Sequence, residues 1–294
     1  MPWRTHGCDT QMRKVTISNA WAVLLCLAAL VAFGPYLWPI EPSELNLRNK
    51  DLRPVYMALW GVPNWSWAHP LGTDNLGRDT LANLIHGGRV TFVVAILAMG
   101  VSLVVGATVG ALAGYFRALD GVLMRVTDLG LSLPLLPVLL LLLLVLRDPL
   151  RAQFGPETGI FILLVIAIGI TSWMPVARII RAEVLSLKTR DYVTAARSLG
   201  AGHTHILVRH ILPNLWGPLM VSAALGVGMA ILTESALSFL GLGFPSDYPT
   251  WGKLLFDNTS RMSLYPERVI WPGLMISVTV LAANYVGDGR TQAR

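Results

Sequence analysis

The chain of 294 residues is 54% hydrophobic and only 14% charged, with a formal net charge of +6 and a mean hydropathy of +0.57. An ordinary soluble domain carries charge on about a quarter of its residues, and a domain of this size cannot hide so much apolar surface from water. A water-soluble protein is therefore excluded and a membrane protein is expected. The basic balance needs no nucleic acid as partner, because cytoplasmic loops of membrane proteins collect Lys and Arg. Cys8 and Cys26 are the only cysteines, so neither a disulfide scaffold nor a thiolate metal site is indicated.

Six stretches reach the length of about 20 helical residues that a bilayer crossing needs. The first spans Asn19 to Ile40, after a tail of residues 1–18. Its apolar part is too long for a cleaved leader, and it ends in Tyr36, Trp38 and Pro39 rather than in small residues. The second, Val90 to Gly114, is an uncharged run of 25 residues. The third, Val126 to Leu146, is rich in leucine. The fourth is Thr158 to Ala177, the fifth Ile211 to Thr233, and the sixth Val269 to Gly287, followed by a tail of residues 288–294. The runs are continuous rather than alternating, which selects helices over a barrel. Residues 89–287 thus hold a five-helix core that follows helix one. The segment Arg178 to Arg209 carries Arg178, Arg181, Lys188, Arg190, Arg197 and Arg209 against Glu183 and Asp191. This predicts that it lies inside, with both termini on the same side.

Between helices one and two, Glu41 to Gly88 forms a long, proline-punctuated outer loop. Thr73 or Asp74 is expected to cap a short helix there, and Arg78 to Ile85 to lie as an amphipathic segment at the membrane surface. The main expectation for the loop is a packed scaffold that orients helix two. Between helices four and five, RAEVLSLKTRDYVTAARSLGAGHTHILVRHILPN (Arg181 to Asn214) is polar yet periodic at helical spacing. Gly200 is expected to stop a first helix, His203 to Ile211 to form a second, and Pro213 to mark entry into helix five. Two short helices between spans make a protruding knob, which an ordinary connection does not need.

Ionisable residues at membrane depth are functional candidates. Asp128 lies three residues from Arg125, so an ion pair on one helix face or a gate role is open to it. Glu234 precedes the small-residue stretch SALSFLGLG, suited to close packing or a re-entrant turn. The ridge Gly106, Gly110, Gly114 lets another helix approach, and packing within the chain is expected. Pro134 and Pro137 should kink helix three. None of His6, His69, His86, His203, His205 and His210 lies inside a span, and no carboxylate-backed ligand set accompanies His203 and His205, so no metal site is expected. There is no GxxxxGKS or GxxxxGKT phosphate loop, so the energy source lies outside this chain. A serine protease lacks a membrane-embedded histidine base, and HExxH is missing. A gradient-driven transporter remains the alternative from another class, without visible inverted repeats or mid-membrane charges to favour it.

YVTAARSLGAGHTHILVRHILPN resembles the coupling motif of binding-protein-dependent ABC importer permeases. That motif reads Glu-Ala-Ala, three residues, Gly, nine residues, then Ile-x-Leu-Pro. Thr194 stands at the Glu position, Ala195, Ala196, Gly200, Leu212 and Pro213 match in register, and His210 stands at the usual Ile. HPLGTDNLGRDTLANLIHGGRV (His69 to Val90), FRALDGVLMRVTDLGLSLPLL (Phe116 to Leu136), LTESALSFLGLGFPSDYPTWGKLL (Leu232 to Leu255) and NYVGDGR (Asn284 to Arg290) resemble further signatures of the C-type permeases of the dipeptide/oligopeptide/nickel family. The stretch SDYPTWG departs from the usual double-proline form, and the tail lacks the usual ending.

The resemblance implies an all-α integral membrane protein with six transmembrane helices of the ABC importer type I permease kind. A cytoplasmic helical coupling loop, residues 181–213, would lie between helices four and five. It implies a non-catalytic subunit of a bacterial inner-membrane importer for peptides, or for nickel or another small solute. The expected partners are a homologous second permease, two ATP-binding subunits that hold ATP and Mg2+, an extracytoplasmic solute-binding protein and membrane lipid. No cofactor is expected in this chain. Thr194, Ala195, Ala196, Gly200, Leu212 and Pro213 would meet the ATPase, and Asp128 and Glu234 would stand near an interface or gate. Pairing with acidic groups of the partner or with anionic lipid is open to Arg190, Arg197 and Arg209, and for any one of them a lipid-facing or solvated side chain is the first expectation.

Overall fold

Long apolar runs can satisfy their own backbone in lipid only as helices, and the chain follows that rule. The computed structural model describes residues 5–245 and 248–291, with the side chains of residues 19–245 and 248–287, and no strand occurs among the described residues. Among the described residues five helices are long and apolar enough to cross a bilayer, and one sharply bent pair, counted as a single span, makes six. Arg4 and Arg294 lie outside the described residues, and Arg13, Lys14 and Arg290 lie outside the described side chains.

Helix α1 (Thr5–Leu37) carries its apolar span from Asn19 to Leu37, ending three residues short of the expected Ile40. Helix α2 (Thr80–Tyr115) begins ten residues before the expected Val90. The surface amphipathic segment expected over 78–85 is therefore corrected: Ala82, Leu84 and Ile85 are buried in the first turns of α2. The cause lies far away in sequence. The Trp251 indole donates to the Leu84 carbonyl at 2.9 Å, and a Cβ on Gly88 would stand 2.7 Å from Val31 and 2.9 Å from the Trp251 ring. Only a glycine lets α1 and Trp251 close on α2 here.

The cap of α2 is Asp79, not Thr73 or Asp74. Its carboxylate accepts from Ala82 N at 2.6 Å, from the Trp38 indole at 3.2 Å, and shares a 2.8 Å bond with His69 Nδ1. Thr73 is buried instead in the loop, where its hydroxyl accepts from Leu52 N at 3.0 Å and donates to the Asn49 carbonyl. Asp74 closes a turn by accepting from Leu76 N and Arg78 N, both at 2.8 Å. Gly72 (φ +77°) and Gly77 (φ +77°) have left-handed backbones, and a Cβ on Gly77 would meet the Asn46 carbonyl oxygen at 1.9 Å. The stretch His69 to Asp79 is thus a lock joining the long loop to the ends of α1 and α2.

The third expected span, Val126 to Leu146, is not one continuous helix. It divides into α3 (Arg117–Ser132) and α4 (Leu135–Phe154), bent by 92°. Pro134 drives Leu133 out of the helical region (φ −80°, ψ 137°). Pro137 then falls in the first turn of α4, where its missing N–H leaves no bond unmade. Helix α5 (Pro156–Leu187) runs well beyond the expected Ala177 and shares with α2 the most extensive helix–helix interface of the chain. The glycine ridge makes that interface. A Cβ on Gly106 would lie 2.7 Å from the Trp173 carbonyl oxygen, one on Gly110 2.5 Å from that of Ala177, and one on Gly114 2.8 Å from Val184. In lipid, where apolar burial offers no advantage over lipid tails, such close backbone contact is a main source of helix affinity.

Helices α6 (Asp191–Ser198) and α7 (His203–Ile206) form the knob. Helix α8 (Trp216–Phe239) follows after two irregular turns. Helix α9 (Trp251–Thr259), capped by Thr250, returns against α8 and α2, and α10 (Glu267–Thr291) packs on α8, α1 and α9. One apolar core joins α2, α4, α5, α8 and Trp251, and a second lies beneath the knob.

Candidate functional site

The knob is built from an ordinary helix stop. Arg190 is extended (φ −69°, ψ 147°), and Asp191 opens α6, where a carboxylate favours the positive end of the helix. At the other end Gly200 adopts φ +83°. Gly200 N donates to the Arg197 carbonyl and Ala201 N to that of Ala196, both at 3.0 Å. This pair of bonds is a Schellman stop, which needs a residue tolerant of positive φ.

Below this tip the knob has an apolar root. Val193, Ile206, Ile211 and Leu215 are buried against Ile180, Val184 and Leu187 of α5 and Ala111 and Tyr115 of α2. The Tyr115 hydroxyl and His203 Nδ1 share a 3.0 Å hydrogen bond, and the Tyr115 ring stands edge-on to those of His203 (5.7 Å) and Phe116 (5.0 Å). Lys188 Nζ donates to the Gly114 carbonyl at 2.8 Å, satisfying an end of α2. Tyr115, Phe116, Lys188 and His203 were not among the sequence candidates. Tyr115 and Phe116 sit at the seam of two recognised segments, but a sequence alone gives no sign that His203 folds back onto them.

The expected contact residues lie on the outer side of that root. Thr194 and Ala195 are exposed, Ala196 is half-buried, and Gly200 has open space where a side chain would project. Leu199 between them is 89% exposed. Leu212 and Pro213 are also exposed, but they lie apart in sequence, in a tight 3-10 turn (Leu212–Leu215) preceded by a wide π turn (Leu207–Ile211). Helix five thus starts as a regular helix at Trp216 and not at Ile211. Pro213 explains the irregularity, because it offers no N–H to the preceding turn and its ring crowds the carbonyl four residues back.

On the α3 side of the core, Asp128 pairs with Arg178 of α5 at 2.5 Å, which corrects the expected partner Arg125. A second pair, Arg181 to Asp120 with Nη2 to Oδ2 at 2.7 Å, ties the same two helices. Both Asp128 and Arg178 are solvent-accessible within this chain. Glu234 is fully buried inside the chain: it accepts from Thr91 at 3.1 Å and from Ser238 at 2.7 Å. Thr91 in turn accepts from Trp251 N at 3.3 Å. Glu234 therefore fastens α8 to α2 and the start of α9, and its carboxylate is closed off from the surface of the chain.

Between the α3–α4 corner, the middle of α5 and α8 lies a concave surface of about 540 Å³. Its wall includes Met99, Leu135, Thr171, Ser172, Met174, Pro175, Ser222 and Met229, and no charged residue contributes to it. Pro175, in this wall, supplies no N–H to the Thr171 carbonyl, so α5 lacks one helical hydrogen bond there.

Six crossings, a knob rooted on α2 and α5, and a concave uncharged flank define an integral membrane component of a transport system. The chain belongs to the family described as binding-protein-dependent transport system inner membrane component, whose pattern matches residues 102–292. It is 33% identical to the oligopeptide transport system permease protein OppC of Bacillus subtilis over 96% of this chain and 86% of that protein. It is 41% identical to the probable peptide ABC transporter permease protein y4tQ of Sinorhizobium fredii over 90% of this chain and 84% of that protein. It is 32% identical to the dipeptide transport system permease protein DppC of Alkalihalophilus pseudofirmus over 99% of this chain and 89% of that protein.

Proposed function

We propose that this chain is one of two permease subunits of an ATP-driven peptide importer in a bacterial inner membrane, with both termini and the knob in the cytoplasm. The observation that carries the reading is the knob itself. Its apolar root is fixed to α2 and α5, while its tip presents Ala195, Leu199 and Gly200 to a partner. An ATPase subunit docks on that tip, and small side chains there allow close approach. The chain binds no nucleotide; its part is mechanical. A push on the tip reaches the glycine-packed α2–α5 pair through Val193, Ile206 and the Tyr115–His203 bond. That pair borders the concave flank, which forms half of the solute path when a second permease closes it. The names of the relatives support peptides as solute. An uncharged wall with a few hydroxyls suits varied peptides, leaving selection to a solute-binding protein.

Replacing Gly200 by Trp tests the docking. The side chain enters open space but on a left-handed backbone, which costs about 1–2 kcal/mol, too little to unfold the bundle. The variant should reach the membrane at normal levels yet fail to take up a labelled tripeptide and lose its ATPase on purification. Normal uptake would refute docking at this tip.

A further inference from the structure

The loop end of the molecule carries an exposed aromatic surface free of charge. From Pro54 to Thr73 the chain holds no Asp, Glu, Lys or Arg, while it holds Tyr56, Trp60, Trp65 and Trp67. Leu59, Trp60 and Trp67 are 85%, 72% and 75% exposed. A group of large apolar side chains turned outward is a mark of an interaction surface.

The depth of this surface is fixed by what lies beneath it. The 3-10 helix Val55–Trp60 is anchored on α10: the Tyr56 ring meets Trp271 at 6.1 Å and Trp60 at 6.3 Å, both edge-on. Arg53 donates to Glu267 at 2.9 Å, Arg268 to Asp51 at 2.9 Å, and both guanidinium groups stack on Tyr265. These charges are therefore spent between loop and helix. Trp271 stands one turn inside α10, whose membrane-crossing stretch begins at Glu267. Trp60 is one ring away from it, beside the start of the apolar stretch of α10.

We infer that the segment Val55–Trp67 is a membrane anchor, which seats Leu59, Trp60 and Trp67 in the headgroup boundary of the leaflet at the loop end. Tryptophan suits that zone because its ring is apolar while its indole N–H still finds an acceptor. With no basic residue in the segment, the anchor engages neutral lipid and does not depend on anionic headgroups. Through the Asp79 lock and the Arg53–Glu267 pair it holds the ends of α1, α2 and α10 at one depth.

The test uses the full chain in its complex, reconstituted in neutral phosphatidylcholine nanodiscs, with Cys8 and Cys26 replaced by Ser. Single Leu59→Cys and Ala68→Cys variants keep all the tryptophans and carry a bimane label. Leu25→Cys on α1 serves as the lipid reference and Arg48→Cys as the water reference. Quenching by lipids brominated near the headgroup should exceed that of the deeper Leu25→Cys label, and iodide quenching should fall well below the Arg48→Cys level. Adding phosphatidylglycerol should change neither, and Trp60→Ser with Trp67→Ser should weaken the lipid quenching. Labels at both positions that iodide reaches and brominated lipid does not would overturn the anchor. Iodide access lost only when the soluble solute-binding protein is added would overturn it too, in favour of a protein-docking surface.

Discussion

The seam between knob and bundle can be opened one atom at a time. Tyr115 is buried, whereas the His203 ring lies open to solvent apart from its contact with Tyr115 and Phe116. The two halves of the 3.0 Å hydrogen bond are therefore unequally exposed. Tyr115→Phe removes the hydroxyl and leaves His203 to bond water, so the cost is the net worth of one hydrogen bond, about 0.5–1.5 kcal/mol. His203→Ala loses the same bond, again about 0.5–1.5 kcal/mol because water takes the place of the exposed ring, and also removes an edge-on ring contact worth about 0.5–1.5 kcal/mol. The assay is hydrogen exchange with mass spectrometry on peptides covering Asp191 to Ile206, since local opening follows local stability. A loss of about 1–3 kcal/mol corresponds to about 5- to 150-fold in the opening equilibrium. His203→Ala should speed exchange by that order, Tyr115→Phe by less, and the double variant by about as much as His203→Ala alone, because the shared bond is lost only once. Equal effects of the two single variants, or a double variant at the sum of both, would refute the seam as described.

Three further outcomes follow from the packing. Gly110→Val places a Cβ 2.5 Å from the Ala177 carbonyl oxygen, and overpacking of this kind costs about 1–3 kcal/mol; the thermal midpoint in detergent should fall. Asp79→Ala removes the cap of α2, about 0.5–2 kcal/mol, and also the partner of Trp38 and His69. It should lower the midpoint more than Asp79→Asn, which keeps an acceptor for Ala82 N. Reporter fusions after Ala152 and after Thr204 should report opposite sides, the second cytoplasmic; signals on one side would overturn the arrangement of α5.

Most of the spans were legible because an apolar run without charge has one stable form in lipid. The two departures have different origins. The stretch Arg78 to Ile85, with Arg78, Asp79 and Asn83, reads as a surface segment. Its residues 82–85 are buried in the first turns of α2, and no local window shows that a tryptophan over 160 positions later bonds to Leu84 there. The break at Leu133 was signalled by Pro134 and Pro137, but its size of 92° comes from the packing of α3 and α4 on α5. Asp128 shows the same limit. Sequence proximity favoured Arg125, three residues away, while the fold presents Arg178 from the neighbouring helix. The knob was legible as two helices parted by Gly200, because a Schellman stop is a local event. Its attachment through Tyr115 and His203 is tertiary and left no periodic trace.

The central claim is that the knob is a docking surface for a separate ATPase and that the concave flank is closed by a second permease. Gentle detergent purification of the tagged chain from native membranes, with mass spectrometry of the proteins that accompany it, tests this most directly. A second six-span permease and one or two ATP-binding subunits should come with it. Recovery of the chain alone, or only with copies of itself, under conditions that keep other membrane complexes intact, would contradict the account and point to a gradient-driven transporter.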